Sequence, residues 1–175
     1  MKMFFSIGKE ILILGGGDGG LLHELLKENP KFVTMVDIDK YVMKYCQLYL
    51  KGACGNSLDS YIGSNYRVMI GDCVEYMKMC IEQNISFDYV FNDLTDIPIS
   101  DENNKNTYNK DESKMWPFVK LIIELSLKLL RPNTGKYLNH VSGSKIKIKI
   151  YKIFLLIFFN LSGKWNQCSK ITSSI

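Results

Sequence analysis

The chain has 175 residues, 22 Lys/Arg against 18 Asp/Glu, and a hydrophobic fraction of 46%. That is enough length and apolar content for one globular domain with a real core. The net charge of +4 is unevenly spread: through Glu124 there are 13 bases and 18 acids, and beyond it 9 bases and no acid. The long first part is thus acidic, which favours a cationic small molecule over nucleic acid as its ligand.

Five cysteines, Cys46, Cys54, Cys73, Cys80 and Cys168, form no C-x-x-C pair, and neither His stands at metal-ligand spacing. The expectation is no metal, no disulfide and reduced thiols in the cytoplasm. Met1–Phe5 is too short for a signal peptide. The apolar run Phe154–Phe159 is too short to span a membrane. No membrane partner is expected.

In chain order, Ile11–Leu14 is predicted as a buried parallel strand. Gly15-Gly16-Gly17-Asp18-Gly19-Gly20 follows as a tight loop, and a helix is predicted from about Gly20 to Glu28, stopped by Asn29-Pro30. The loop fits G-x-G-x-x-G through Gly15, Gly17 and Gly20, which taken alone suggests a dinucleotide. Asp18 argues otherwise, because a carboxylate repels the phosphates such a loop cradles. It suits a phosphate-free cationic cofactor, of the kind an S-adenosyl sulfonium provides.

Phe32–Val36 is predicted as strand two, ending in Asp37-Ile38-Asp39. Asp37 lies 22 residues after Gly15, near the spacing at which an acid takes ribose hydroxyls. Asp39 suits an N-cap for a helix over Lys40–Lys51. Gly52–Asn65 reads as a polar connection, Arg67–Ile70 as strand three, and Val74–Gln83 as a helix capped by Asp72. Phe87–Phe91 leads into strand four, with Asp93 at its carboxyl end, where open α/β sheets bind ligands. Strands one and four are expected to flank the switch point, so that Asp18 and Asp93 face one cavity. Asp101–Ser113 reads as a lid or solvated loop. A helix is predicted over Met115–Leu130, with Val119, Ile122, Ile123, Ser126, Leu127 and Leu130 on its inner face, and strand five starts at Lys136–Asn139. The fold class is α/β, a Rossmann-like, mostly parallel sheet with helices on both faces, over residues 1–140. Residues 141–175, with alternating Ile146–Ile153 and the apolar run after it, break that rhythm and are aggregation-prone if exposed.

At Gly15–Gly20, Asp37, Asp72 and Asn92–Ser100 the chain resembles the spermidine/spermine aminopropyltransferases, and Asn-Asp-Leu-Thr-Asp-Ile-Pro-Ile-Ser is similar to the loop of the spermine-forming members. The likeness runs from about Ile11 to Tyr137. It implies transfer of an aminopropyl group from decarboxylated S-adenosylmethionine to spermidine, giving spermine and methylthioadenosine. Decarboxylated S-adenosylmethionine is a co-substrate, and no further cofactor is implied. By the same resemblance Asp93 is the general base and Asp18 anchors substrate amines. The donor contacts fall to Gly15, Gly16, Gly17, Asp37, Asp72 and the Cys73 backbone, with Asp37 on the ribose (where the family commonly has Glu) and Asp72 at the adenine. Family members dimerise.

Two departures stand beside the likeness. The family has a β-hairpin segment before the first strand, where this chain has Met1–Lys9. It continues past Tyr137 with strands and an acidic polyamine contact, where Val141–Ile175 holds no acid. A fragment with little or no activity of its own is the expectation. The rivals are an inactive truncated family member and an S-adenosylmethionine-dependent methyltransferase. The latter more often carries an acid just before the glycine loop, where this chain has Ile13-Leu14.

Overall fold

Ile11–Leu14 offers no polar side chain to either face of a sheet, so it must be covered on both. A computed structural model describes residues 6–94 and 112–139. In it this run lies within the central strand β1 (Glu10–Gly15), all four residues fully buried. The other strands are β2 (Phe32–Asp37), β3 (Tyr66–Ile70), β4 (Tyr89–Asp93) and β5 (Lys136–Asn139). The order is β3-β2-β1-β4-β5, with every pairing parallel. The chain therefore runs outward from β1 to β3, then restarts on the other side of β1 at β4. That reversal is the switch point expected between strands one and four.

Alternate strand residues face opposite layers. Ile11, Ile13, Val33, Met35, Tyr89 and Phe91 pack on Leu22 and Leu25 of α1 (Gly20–Leu26), Met43 of α2 (Lys40–Tyr49) and Cys54 of α3 (Lys51–Cys54). Leu12, Leu14, Val36 and Val90 pack on Met77 and Cys80 of α4 (Cys73–Glu82) and on Ile122, Leu125 and Leu129 of α5 (Glu112–Leu129). The Rossmann-like, mostly parallel class expected from the sequence is the fold observed. No helix among the described residues is long and apolar enough to cross a membrane.

Three local expectations need correction. Residues 52–65 are not simply a polar connection. Lys51–Cys54 is helical, and Cys54, Ser57 and Leu58 are buried. In α5 the buried positions are Ile122, Leu125, Ser126 and Leu129, while Val119, Ile123, Leu127 and Leu130 are only half-buried. Lys120, Glu124 and Lys128 stripe the exposed face, and the side opposite them packs against α4. Its described span also begins at Glu112 rather than Met115, which moves Pro117 beyond the first turn. Third, β4 starts at Tyr89, and Phe87 instead bridges Leu130. The expected lid, the stretch from Thr95 to Asp111 and the tail from Val141 onward lie outside the described residues.

The N-terminal end of the sheet is fastened by charge. The Asp88 carboxylate is nearly inaccessible and accepts from the Glu10 N–H (2.9 Å), the Arg131 guanidinium (3.1 Å) and Lys9 Nζ (3.4 Å). Arg131 also bonds the Glu10 carboxylate, which pairs with Lys31 at 2.8 Å. This network ties β1 and β4 to the connection between α5 and β5, and holds the barely polar central strands in one register.

Candidate active site

All strands point the same way, so the acids that follow them collect along one edge. In spatial order these are Asp72 just past β3, Asp37 ending β2, Asp18 in the loop after β1, and Asp93 ending β4. Gly15 pairs with Asp93 across β1 and β4. A Cβ on Gly15 would lie 2.5 Å from the Asp93 carbonyl oxygen, and its φ of +81° is one that L side chains rarely adopt. Glycine is therefore required there for both reasons. The Asp93 carboxylate turns toward Gly16, with Oδ2 3.4 Å from where a Gly16 Cβ would be.

Asp37 is built into the glycine loop. Its Oδ2 accepts the Gly17 N–H and its Oδ1 accepts the Asp39 N–H, both at 2.8 Å. A Cβ on Gly17 would stand 2.7 Å from that Oδ2, so the loop can approach the carboxylate only without a side chain. Each oxygen of a carboxylate has two lone pairs, so one on each stays available for a second donor. The Asp37 backbone carbonyl accepts the Gly71 N–H at 2.9 Å, which fixes the end of β3 beside it.

Asp18 sits exposed at the crest of the loop, with Oδ1 held on the Gly20 N–H at 2.8 Å. That bond satisfies a first-turn N–H of α1, whose N-cap Gly19 has no side chain to do so. The structure thus joins Asp37 to Gly17 and Asp93 to Gly15 and Gly16, and turns one Asp18 oxygen back onto its own loop. Asp72 is the N-cap of α4, its Oδ1 accepting the Val74 N–H at 2.7 Å. Cys73 is buried behind it. Burial, with the Asp72 charge added, pushes the Cys73 thiol up to about 11, so it is no nucleophile near neutral pH.

Several supports of the site lie outside the residues expected from the sequence. Leu58 packs beneath the loop, its Cγ 2.7 Å from where a Gly19 Cβ would be. The Ser57 hydroxyl lies 3.0 Å from the Gly19 carbonyl and 2.7 Å from that of Cys54. The hidden cue was Cys54 and Leu58, isolated apolar residues in a stretch of Gly, Asn, Ser and Asp. On the far side, Asn92 Nδ2 donates to Asn139 Oδ1 at 2.6 Å, joining the ends of β4 and β5.

Residues 2–133 match the family model described as the spermine/spermidine synthase domain. Over 89 residues the chain is 37% identical to a polyamine aminopropyltransferase of Pectobacterium atrosepticum and 35% identical to one of Escherichia coli O1:K1. Each of these matches covers 50% of this chain and 29% of the relative, so the chain spans well under half the length of the curated proteins it resembles. A structure described as a SAM-dependent methyltransferase from Streptococcus mutans aligns with a TM-score of 0.54 over 85% of this chain and 35% of its own, at 18% identity, which is a likeness of fold alone. With its glycine loop, its acid-ended strands and a family match reaching from residue 2 to residue 133, the chain belongs to the spermine/spermidine synthase family.

Proposed function

We propose that this chain carries the catalytic centre of an aminopropyltransferase, which moves the aminopropyl group of decarboxylated S-adenosylmethionine onto a polyamine. The observation that carries the reading is the row of carboxylates along one sheet edge, with Asp37 locked to the glycine loop and Asp93 beside it. Asp37 takes the ribose hydroxyls with its remaining lone pairs. Gly15, Gly16 and Gly17 let the nucleoside approach the backbone, and Asp72 with the Cys73 backbone reads the adenine. Asp18 attracts the amines and the sulfonium. Asp93 is the base. The acceptor nitrogen attacks the methylene carbon next to sulfur, and the C–S bond breaks with its electron pair left on sulfur, giving methylthioadenosine. The proton lost by the amine goes to the Asp93 carboxylate. An ammonium has no lone pair to attack with, so the reaction needs such a base.

Spermidine is the proposed acceptor and spermine the product, because Asn92-Asp93-Leu94 opens the loop that resembles spermine-forming members. Putrescine is the competing acceptor. The test has two arms. Calorimetry of methylthioadenosine with the 175-residue chain reads the donor side. Turnover is then compared, in a version extended at both ends to the family's full length, for decarboxylated and intact S-adenosylmethionine with each acceptor. Asp93→Asn is expected to lower methylthioadenosine release by ~10²–10⁴-fold while the nucleoside still binds. Methyl transfer from intact S-adenosylmethionine, or turnover by Asp93→Asn near that of the unchanged chain, would overturn the reading.

A further inference from the structure

We infer that Asn92 is a positioning residue for Asp93, acting from the opposite face of the sheet; this rests on Asp93 being the base. Adjacent strand residues point to opposite faces. Asp93 turns toward Gly16 above the α1 layer. Asn92, in register with Leu14 and Asn139, turns to the layer of α4 and α5. Its amide makes two links there. Nδ2 donates to Asn139 Oδ1 at 2.6 Å, tying the end of β4 to the end of β5. Oδ1 faces the Leu94 N–H at 3.4 Å and caps the first peptide beyond Asp93. Asp93 is thus bracketed: the peptide on its N-terminal side belongs to the residue bonded to β5, and the N–H on its C-terminal side is held by the same side chain. Leu94 is half-buried and packs on that same layer. The strand end cannot slide or rotate without breaking this clamp, so the Asp93 carboxylate keeps one setting over the glycine loop. An apolar residue at position 92 would make neither hydrogen bond.

The test uses the full chain with Asn92→Ala, and Asn139→Ala as a second variant that leaves β4 untouched. The carboxyl carbon of each aspartate is followed by NMR. Both variants are expected to move or broaden the Asp93 line while leaving those of Asp37 and Asp18 in place, with methylthioadenosine affinity unchanged within twofold. A general loss of packing would instead disturb all three lines together. In the version extended to the family's full length, kcat is expected to drop by about ten- to a hundredfold with KM for the donor unaltered, as for a misplaced reacting group. An Asp93 line unchanged in both variants overturns the inference. Full turnover by Asp93→Asn overturns the base assignment instead, so the two failures are told apart.

Discussion

Replacing Asp37 by Asn tests whether the acid at the end of β2 serves the fold and the ligand together. The carboxylate receives two backbone N–H groups, Gly17 on one oxygen and Asp39 on the other. An amide has one acceptor oxygen, so in either rotamer its NH₂ faces one of those donors. One half-buried N–H then loses its partner, at a cost of about 1–3 kcal/mol. With a urea m-value of ~2 kcal/mol/M, the unfolding midpoint falls by roughly 0.5–1.5 M at unchanged m. The ligand is affected separately. One lone pair facing a ribose hydroxyl is exchanged for an N–H, so methylthioadenosine binding weakens by about 1–3 kcal/mol, measured by calorimetry. A midpoint equal to that of the unchanged chain would refute the two-donor argument. Equal affinity would refute the ribose contact, whatever the stability shows.

Three further outcomes follow from the same geometry. Leu58→Ala should destabilise by about 2–5 kcal/mol, as buried Leu truncations do, and should also weaken methylthioadenosine binding, since Leu58 underlies Gly19; a stability loss with intact affinity would separate it from the loop. Burial raises the Asp88 carboxyl, but the Glu10 N–H, Arg131 and Lys9 outweigh it and hold it below the usual range. Its contribution is therefore fully present above an unfolded value of about 3.9 and lost as pH falls through the folded one. The stability advantage over Asp88→Asn, seen at pH 7 in urea, should narrow below about pH 4, and a constant gap would contradict this. The Cys73 thiol, pushed up to about 11, should resist alkylation at pH 8 in the folded chain. Mass spectrometry showing it labelled as fast as an unfolded control would refute that.

The central motif was legible because backbone demands leave strong marks. A strand covered on both faces needs an unbroken apolar run, and a loop that meets a neighbouring strand needs Gly15. Asp37 was found for the same reason, as an acid directly after an apolar run, and Asp93 as an acid one residue beyond one. Features made by distant side chains were not legible. Asp88, Glu10 and Arg131 look like ordinary surface charges until the sheet brings them together. Leu58 and Cys54 follow neither helical nor strand periodicity, so a polar neighbourhood concealed their burial. The phase of α5 was readable from the exposed stripe of Lys120, Glu124 and Lys128, and the expected inner face was rotated from the side opposite that stripe because Ile123 and Leu127, at its flank, are as apolar as Leu125 and Leu129. Asn92 beside an acid reads as one more polar loop residue, and only the register with Asn139 gives it a partner.

The two ends of the sheet treat charge in opposite ways. At one end Glu10 and Asp88 are matched by Lys9, Lys31 and Arg131. At the other, Asp18, Asp37 and Asp72 form no ion pair with a Lys or Arg among the described residues. Like charges gathered on one edge repel one another, less so where water and salt screen them. Folding therefore gathers a repulsion that the extended chain does not feel, and a cation at that edge relieves it. The melting temperature becomes an indirect gauge of occupancy: it rises with the logarithm of a bound polycation's concentration, and plain salt reproduces only the screened part of that rise.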